Sequence, residues 1–365
     1  MGIAPYNVIT NNNVAQTVGD DAHIVPFKKT KKSSMLHKPQ GHDAHIVPFK
    51  KTKKSSMLHK PQGHDAHIVP FKTKNNREKN MNIQWFPGHM TKTMRLIEEN
   101  IKSVDIVVEI LDARIPKSSK NPQIDALIGD KKRLVVLNKS DIADRLETEK
   151  WLKYFDKNGI SAMAVSSVQG KNLNSVLEKC RDILSGKIEA WKSRGIVNRS
   201  LKMMIVGVPN VGKSSFINKL ANKKSAKTGD RPGITRGKQW VRLANGFELL
   251  DTPGVLWPKF DDQTVGMRLA FTGAVKDEIM DVEELAMHLL EFLRENYPNS
   301  LTERYKMTDF ENLGGFEMLE LLGRKRGFVV SGGEIDTLRA ANVLLDEFRA
   351  AALGKITLDK VGEQE

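Results

Sequence analysis

The strongest chemical signal in the chain is a glycine-rich run, GVPNVGKS, at residues 207–214. It follows an apolar segment at 202–206 and precedes a run with helical periodicity. In this setting the glycines let backbone N–H groups surround phosphate oxygens at a helix N-terminus. A lysine then neutralises the terminal phosphates, and a hydroxyl ligates Mg²⁺. The pattern predicts a phosphate-binding loop with Lys213 as the charged group and Ser214 as a metal ligand.

Two segments further along the chain supply the other groups of a Mg²⁺–nucleotide site. The run DTPG at 251–254 follows an apolar strand, so that Asp251 can reach the metal through water and the Gly254 N–H can approach the γ-phosphate. The run DRPGITR at 230–236 contains Thr235, which completes the metal shell when a triphosphate is bound. A loop that is ordered by γ-phosphate contact acts as a switch. The alternative for Thr235 is an ordinary turn residue.

The base is read by NKSD at 138–141, which ends another apolar strand. The Asp141 carboxylate can accept hydrogen bonds from guanine N1–H and from its exocyclic amine, a donor pair that adenine lacks. The wrong base would leave this buried carboxylate unpaired, which discriminates against that base by a factor on the order of 10⁴. Asn138 and Lys139 support the base edge and face. The run SSVQG at 166–170 is similar to the backbone segment that closes over the guanine carbonyl. These motifs predict GTP as the nucleotide.

The order of these motifs is rotated relative to the usual small GTPase. The base-reading motifs at 138 and 166 precede the phosphate loop at 207. Circular permutation is tolerated where chain termini lie close together, and residues 187–199 would join the former termini. The switch at 251–254 then lies near the end of its domain, so its motion passes directly into the following segment.

The position that carries a water-orienting glutamine in many GTPases is occupied here by Val255, followed by Leu256. Because an apolar side chain cannot orient water, intrinsic hydrolysis should be slow. We expect His89 to move towards the γ-phosphate when a partner orders its loop. The alternative is that His89 packs beside Trp85 and Phe86.

Three sets of residues summarise the predicted site. The nucleotide-binding set is Asn138, Lys139, Asp141, Ser166, Ser167, Pro209, Asn210, Val211, Gly212, Lys213, Ser214, Ser215 and Gly254. The metal ligands are Ser214, Thr235 and Asp251. The catalytic set is His89, Lys213 and Thr235.

The elements around these motifs alternate between apolar strands and amphipathic helices from Met81 onward, which indicates an α/β fold. Strands are expected at 105–111, 133–137, 162–166, 202–206, 239–243 and 247–250, and helices at 91–102, 147–158, 174–184 and 213–222. Helical stretches at 282–295, 316–322 and 334–352 follow. We therefore predict a circularly permuted P-loop GTPase domain with a mostly parallel sheet at 81–272 and a small all-helical domain at 273–365.

The charge divides unevenly along the chain. Of the net +14, residues 1–80 carry +9, residues 81–275 carry +13 and residues 276–365 carry −8. A basic middle segment suits a polyanion-facing surface, since each neutralised phosphate releases counterions; ordinary solubilising lysines are the alternative. The sequence has no membrane-spanning or secretion signal. We expect a cytoplasmic monomer without membrane contact.

Residues 1–80 contain a 22-residue repeat, since the run at 21–42 recurs at 43–64 and begins again at 65–71. Each unit has a single apolar patch, IVPF, among Lys, Ser, His and Pro. Stacked units would bury too little to offset chain entropy. We expect a disordered extension here.

The run WFPGHM at 85–90, the permuted motif order and DTPGVLWP at 251–258 resemble the ribosome-biogenesis GTPase A family, also called YlqF. The resemblance covers residues 81–365 and excludes the repeats. It implies maturation of the large ribosomal subunit, a helical C-terminal domain contacting ribosomal RNA, and release on GTP hydrolysis. Asn210 also resembles the residue that helps potassium-activated GTPases hold K⁺ beside the phosphates, which adds K⁺ to Mg²⁺ as a candidate cofactor. The alternative is a GTP-dependent switch acting on a protein partner or in RNA modification.

Overall fold

The computed structural model describes residues 88–196, 199–221, 239–243 and 246–362, without the side chains of Gln239 and Asp251. The repeats, the residues Trp85 and Phe86 and the predicted switch residue Thr235 lie outside the described residues.

The apolar runs between residues 105 and 251 form the strands of one sheet. In the described part of the chain these are β1 (Ile106–Asp112), β2 (Arg133–Asn138), β3 (Ala162–Ala164), β4 (Leu201–Val206), β5 (Gln239–Arg242) and β6 (Phe247–Asp251). Their spatial order is β3-β2-β1-β4-β6-β5. Every neighbouring pair is parallel except β5 with β6, which is antiparallel. The prediction of a mostly parallel sheet is confirmed.

The strand order is what a permuted chain requires. β4, which precedes the glycine-rich loop, lies between β1 and β6, so the strands before it in sequence occupy one side of the sheet and those after it the other. All seven residues of β1 are buried, as expected for a parallel strand whose two faces are covered by helices. The parallel strands also bring their C-terminal ends, and with them the predicted motifs, to one edge of the sheet.

Helices surround the sheet and continue beyond it. Those in the described residues are α1 (Gly88–Ile101), α2 (Pro122–Ile128), α3 (Arg145–Lys157), α4 (Asn174–Ile183), α5 (Ser185–Ser193), α6 (Lys213–Leu220), α7 (Gln263–Phe271), α8 (Val282–Asn296), α9 (Pro298–Tyr305), α10 (Gly315–Lys325) and α11 (Thr337–Arg349). The short helices α2, α5, α7 and α9 are absent from the set predicted by periodicity. α2 is nevertheless marked by local chemistry, since the Asn121 side chain accepts the Gln123 N–H and Pro122 opens the helix.

In the described residues after β6 the regular elements are all helices, joined by loops, and one isolated bridge pairs Val329 with Ile335. α8, α10 and α11 pack against one another, and their buried leucines belong to the same apolar cluster as the residues of β1 and β4. Among the described residues, no helix combines the length and apolar character needed to cross a membrane.

The end of the chain returns to the sheet. The Asp359 carboxylate accepts hydrogen bonds from the Ser118 N–H and hydroxyl, both at 2.7 Å, and pairs with Arg268 at 2.9 Å. The Asp359 carbonyl accepts the indole N–H of Trp151 at 2.9 Å. Since Asp359 and Ser118 are both fully buried, the last described segment is part of the folded core.

Candidate functional site

The glycine-rich loop joins β4 to α6 in a backbone shape that depends on its glycines. Gly212 has a φ of 92°, and a Cβ atom there would lie 2.4 Å from Asn138 Nδ2. A Cβ atom on Gly207 would lie 2.4 Å from the carbonyl oxygen of Ile110. Only glycine fits these close approaches. α6 begins immediately after the loop, with Ser214 and Ser215 half-buried in its first turn, where unpaired N–H groups and the helix dipole favour an anion.

The predicted phosphate-neutralising lysine lies within this loop. Lys213 Nζ donates to the Gly207 carbonyl at 3.0 Å and to the Val208 carbonyl at 2.8 Å. The residue is only 7% exposed. The ammonium group is therefore held among the backbone atoms of the loop and does not extend into solvent.

Asn138 connects the base-reading motifs to the phosphate loop. Its Nδ2 donates to the Val211 carbonyl at 2.8 Å, and its Oδ1 accepts from the Ser167 N–H at 3.0 Å and the Ser167 hydroxyl at 2.7 Å. Asn138 is 1% exposed and Ser167 is 3% exposed. One buried amide thus holds together three loops that sequence analysis assigned to the same nucleotide.

Further hydrogen bonds fix the other residues of the two base-reading loops. The Ser140 N–H and hydroxyl donate to the Val165 carbonyl at 3.1 Å and 2.9 Å, which attaches the 138–141 loop to the chain after β3. Asp141 follows directly and is half-buried. Ser166 is fully buried, and its hydroxyl accepts the Gln169 N–H at 3.1 Å. The geometry brings Asn138, Asp141, Ser166 and Ser167 to one end of the sheet.

An ion-pair network behind Lys139 escaped sequence analysis. Lys139 Nζ lies 2.9 Å from Asp112 Oδ2, and Arg114 donates to both oxygens of the same carboxylate at 3.0 Å and 2.8 Å. Burial alone would raise the Asp112 pKa, but the two cations hold the pKa well below its usual range. Lys139 itself adopts a left-handed backbone conformation, with a φ of 62°. The run DARIP at 112–116 could have indicated this network, because it places an acidic and a basic residue at the end of β1.

The DTPG motif lies against the phosphate loop. A Cβ atom on Gly254 would lie 2.8 Å from the backbone of Pro209 and 2.9 Å from Lys213 Nζ. The Val255 N–H donates to the Gly207 carbonyl at 3.3 Å, and the Thr252 hydroxyl donates to the Ile205 carbonyl at 2.6 Å. Asp251 ends β6 opposite Ile205, although its side chain is outside the described set.

The two residues after this motif cannot contact a hydrolytic water. Val255 and Leu256 are both fully buried in the apolar cluster. The Leu256 N–H donates to the sulfur of Met90 at 3.5 Å, which places the first turn of α1 against this loop. His89, the residue before Met90, is exposed. The structure thus brings the helix turn that carries His89 to the predicted switch.

The phosphate loop is also bonded to the helical region. Asn210, at a φ of 58°, donates from Nδ2 to the Gly273 carbonyl at 2.6 Å. Gly273 follows α7, and Arg349 of α11 donates to the carbonyls of Phe271 and Ala270 at 3.1 Å and 3.0 Å. Arg349 also pairs with both carboxylate oxygens of Asp277 at 2.7 Å. Side-chain hydrogen bonds therefore connect α11 to the loop through the end of α7.

Comparison with known proteins identifies the family. Residues 202–312 match the family model described as 50S ribosome-binding GTPase. Ribosome biogenesis GTPase A of Priestia megaterium is 45% identical over 287 residues, which cover 78% of this chain and 99% of the relative. The chain belongs to the ribosome biogenesis GTPase A family. Mitochondrial ribosome-associated GTPase 1 of Mus musculus is 32% identical over 296 residues, 76% of this chain and 90% of the relative.

Solved structures of ribosome biogenesis GTPase A relatives agree with the fold. The GDP-bound structure of TM YlqF has a TM-score of 0.54 at 27% identity and covers 73% of this chain and 99% of that one. The GNP-bound YlqF from T. maritima has a TM-score of 0.52, also at 27% identity, and covers 74% and 98%. As a member of this family the chain binds guanine nucleotide and hydrolyses GTP, on a circularly permuted GTPase fold.

Proposed function

We propose that this GTPase binds the maturing large ribosomal subunit in its GTP-bound state and is released after hydrolysis. The family model named for 50S binding supports the partner, as do the ribosome-associated relatives. The observation that carries the mechanism is the Asn210–Gly273 hydrogen bond. It joins a residue of the phosphate loop to the helical region, so a change at the nucleotide can alter how the helices hold a partner.

The nucleotide is held by the residues predicted from the motifs. The phosphates are bound by the backbone of residues 209–215 and by Lys213, and Asp141 reads guanine. Ser214, Thr235 and Asp251 would hold Mg²⁺, which would supply positive charge to neutralise the phosphates. Magnesium in nucleotide sites needs only one or two protein ligands, because substrate phosphates and water supply the rest. Ser214, in the first turn of α6 beside Lys213, fits that arrangement.

Hydrolysis requires a group that replaces the missing glutamine. His89 is the proposed water-orienting residue, with Lys213 and Thr235 stabilising the charge that develops on the phosphates. The burial of Val255 and Leu256 and the contact of Met90 with Leu256 support His89, because they place the turn of α1 that carries His89 beside this loop. A subunit that orders this turn would accelerate hydrolysis.

A second cation is proposed beside the phosphates. Asn210 donates from its nitrogen to Gly273, so a potassium ion would be bound through the side-chain oxygen. Such an ion would supply positive charge that other GTPases take from an arginine finger.

The proposal is tested by measuring GTP turnover with and without purified large ribosomal subunits, in potassium and in sodium. We expect strong stimulation by the large subunit alone, and faster turnover in potassium. Equal turnover in the two salts would remove the potassium ion from the mechanism. Absence of stimulation by the subunit would favour a switch that acts on a protein partner.

A further inference from the structure

The N-terminal edge of the sheet, opposite the nucleotide loops, carries a cluster of cations around a cavity of about 460 Å³. Lys131 and Lys132 precede β2 and line this cavity, together with Lys187 of α5. Arg199 and Lys202 lie at the beginning of β4. We call the surface formed by Lys131, Lys132, Lys187, Arg199, Lys202 and Trp191 the basic edge.

Positive charge exceeds negative charge at this surface. Asp105 is the single acidic residue among those that line the cavity in the described part of the chain. Its carboxylate accepts from Lys187 Nζ at 2.6 Å and from the Lys202 N–H at 2.7 Å, so it is already engaged. Burial lowers the pKa of Lys131, and the nearby Lys187 ammonium lowers it further. The lysines therefore repel one another, and a polyanion would relieve that repulsion.

Aromatic rings are interleaved with these cations. The Arg199 guanidinium lies 4.5 Å from the ring centre of Trp191, and Lys187 Nζ lies 5.3 Å from it. Lys202 Nζ lies 5.5 Å from the ring of Trp240, a side chain that is 38% exposed on the edge strand β5. Trp191 is half-buried, and Trp240 is the exposed ring of the two. Cations beside an exposed ring are features by which proteins hold the backbone and stack the bases of single-stranded nucleic acid.

We propose that the basic edge binds RNA, with phosphates at its lysines and arginine and an unpaired base stacked on Trp240. This inference adds a contact surface to the proposed ribosomal function and rests on it for the identity of the RNA. The helical region is a weaker candidate. It carries a net charge of −8 over residues 276–365, and its Arg326 is paired with Glu347 at 2.5 Å.

The basic edge is separate from the nucleotide site. The two lie at opposite ends of parallel strands of six or seven residues, which corresponds to about 20 Å. Substitutions at the basic edge should therefore leave basal GTP hydrolysis unchanged.

The test compares two triple variants with equal changes in charge. Lys132→Gln, Lys187→Gln and Arg199→Gln neutralise the basic edge, and the amide introduced in place of the Lys187 ammonium still offers a donor to Asp105. The control carries Lys153→Gln, Lys306→Gln and Lys355→Gln, three exposed positions elsewhere in the described chain. Binding of a fluorescent uridylate RNA of about 20 nucleotides is measured by anisotropy over a range of salt concentrations.

We expect the basic-edge variant to bind this RNA at least about 10-fold more weakly. The slope of the logarithm of the binding constant against the logarithm of the salt concentration should be smaller in magnitude by about 2, since each lost phosphate contact removes about 0.7. The control should bind like the unchanged protein. Trp240→Ala should weaken binding about 5-fold or more, and Trp240→Phe should restore most of it. Equal losses in both triple variants, no loss in either, or no RNA binding by the unchanged protein would overturn the proposal.

Binding to large ribosomal subunits then separates this inference from the proposed function. If the unchanged protein binds subunits and the basic-edge variant binds them equally well, the proposal that the basic edge binds RNA is wrong and the ribosomal function stands. If no form binds subunits but the oligonucleotide result holds, the ribosomal function is wrong and the RNA surface stands.

Discussion

Asn138 and Val211 are joined by a hydrogen bond of 2.8 Å from the side-chain amide of one to the carbonyl of the other. They lie 73 residues apart, on the two motifs whose order is rotated in this chain. The same amide accepts two hydrogen bonds from Ser167. The base-reading and phosphate-binding loops are therefore one hydrogen-bonded unit despite the permutation.

Replacing Asn138 should uncouple these loops. Asn138→Ala removes three buried hydrogen bonds and leaves the Val211 carbonyl and Ser167 unpaired, at a cost of about 3 kcal/mol. Because these hydrogen bonds position the loops that contact the nucleotide, this free energy is lost mainly from the GTP-bound protein, and GTP affinity should drop about 100-fold. Titration with a fluorescent GTP analogue measures this. Ser140→Ala, which removes a single hydrogen bond to Val165, is the control. Unchanged affinity in Asn138→Ala would contradict the coupling.

Asp141→Asn should change the base that is recognised. An amide offers one donor and one acceptor where the carboxylate offers two acceptors. The exocyclic amine of guanine then loses its acceptor. Xanthine carries a carbonyl in place of that amine, and this carbonyl can accept from the new amide N–H. We expect GTP affinity to fall by on the order of 10³ and xanthosine triphosphate to bind in its place. Competition binding measures both, with ATP as the nucleotide that neither form should bind. Retained GTP preference would remove Asp141 from base recognition.

Glu109 predicts a specific pH dependence of stability. Burial raises its pKa from 4.5 to about 7, although Arg133 and Lys120 partly offset this, and the nearby Asp125 carboxylate raises it further. The folded state thus holds a proton that the unfolded state releases between pH 4.5 and pH 7. Stability should fall as pH rises through this window, by up to about 3 kcal/mol, and then level off.

Glu109→Gln should remove the part of this slope that lies between pH 4.5 and pH 7 and comes from Glu109. The variant should be more stable than the unchanged protein near about pH 8 and similar to it near about pH 5, as judged by urea unfolding across that range. Glu98→Gln, an exposed carboxyl on α1, is the control. A slope in Glu109→Gln equal to that of the unchanged protein would assign the titration to another group, such as the buried Asp359, whose pKa is also raised.

His89→Ala tests the replacement for the missing glutamine. Loss of a water-orienting group should reduce subunit-stimulated turnover about 100-fold while GTP affinity stays constant. Lys92→Ala, at an exposed position one turn along the same helix, controls for general effects on α1. Stimulated turnover that survives in His89→Ala would indicate that His89 only packs against its neighbours.

The sequence predicted those parts of the site that are encoded locally. Glycines at 207 and 212 and the polar residues after each strand reveal their role because their chemistry depends on near neighbours. The parallel sheet then brings them to one edge. Contacts between distant segments were not accessible in this way, since Asp359 meets Ser118 across 241 residues and Asn210 meets Gly273 across 63. Periodicity also missed the short helix α9, which spans only eight residues.

The most direct test of the ribosomal role is cosedimentation of the protein with purified large subunits in the presence of a non-hydrolysable GTP analogue or of GDP. The account predicts that the protein sediments with the subunit when the analogue is bound and stays in the supernatant with GDP. Equal sedimentation in the two nucleotide states, or none in either, would contradict it.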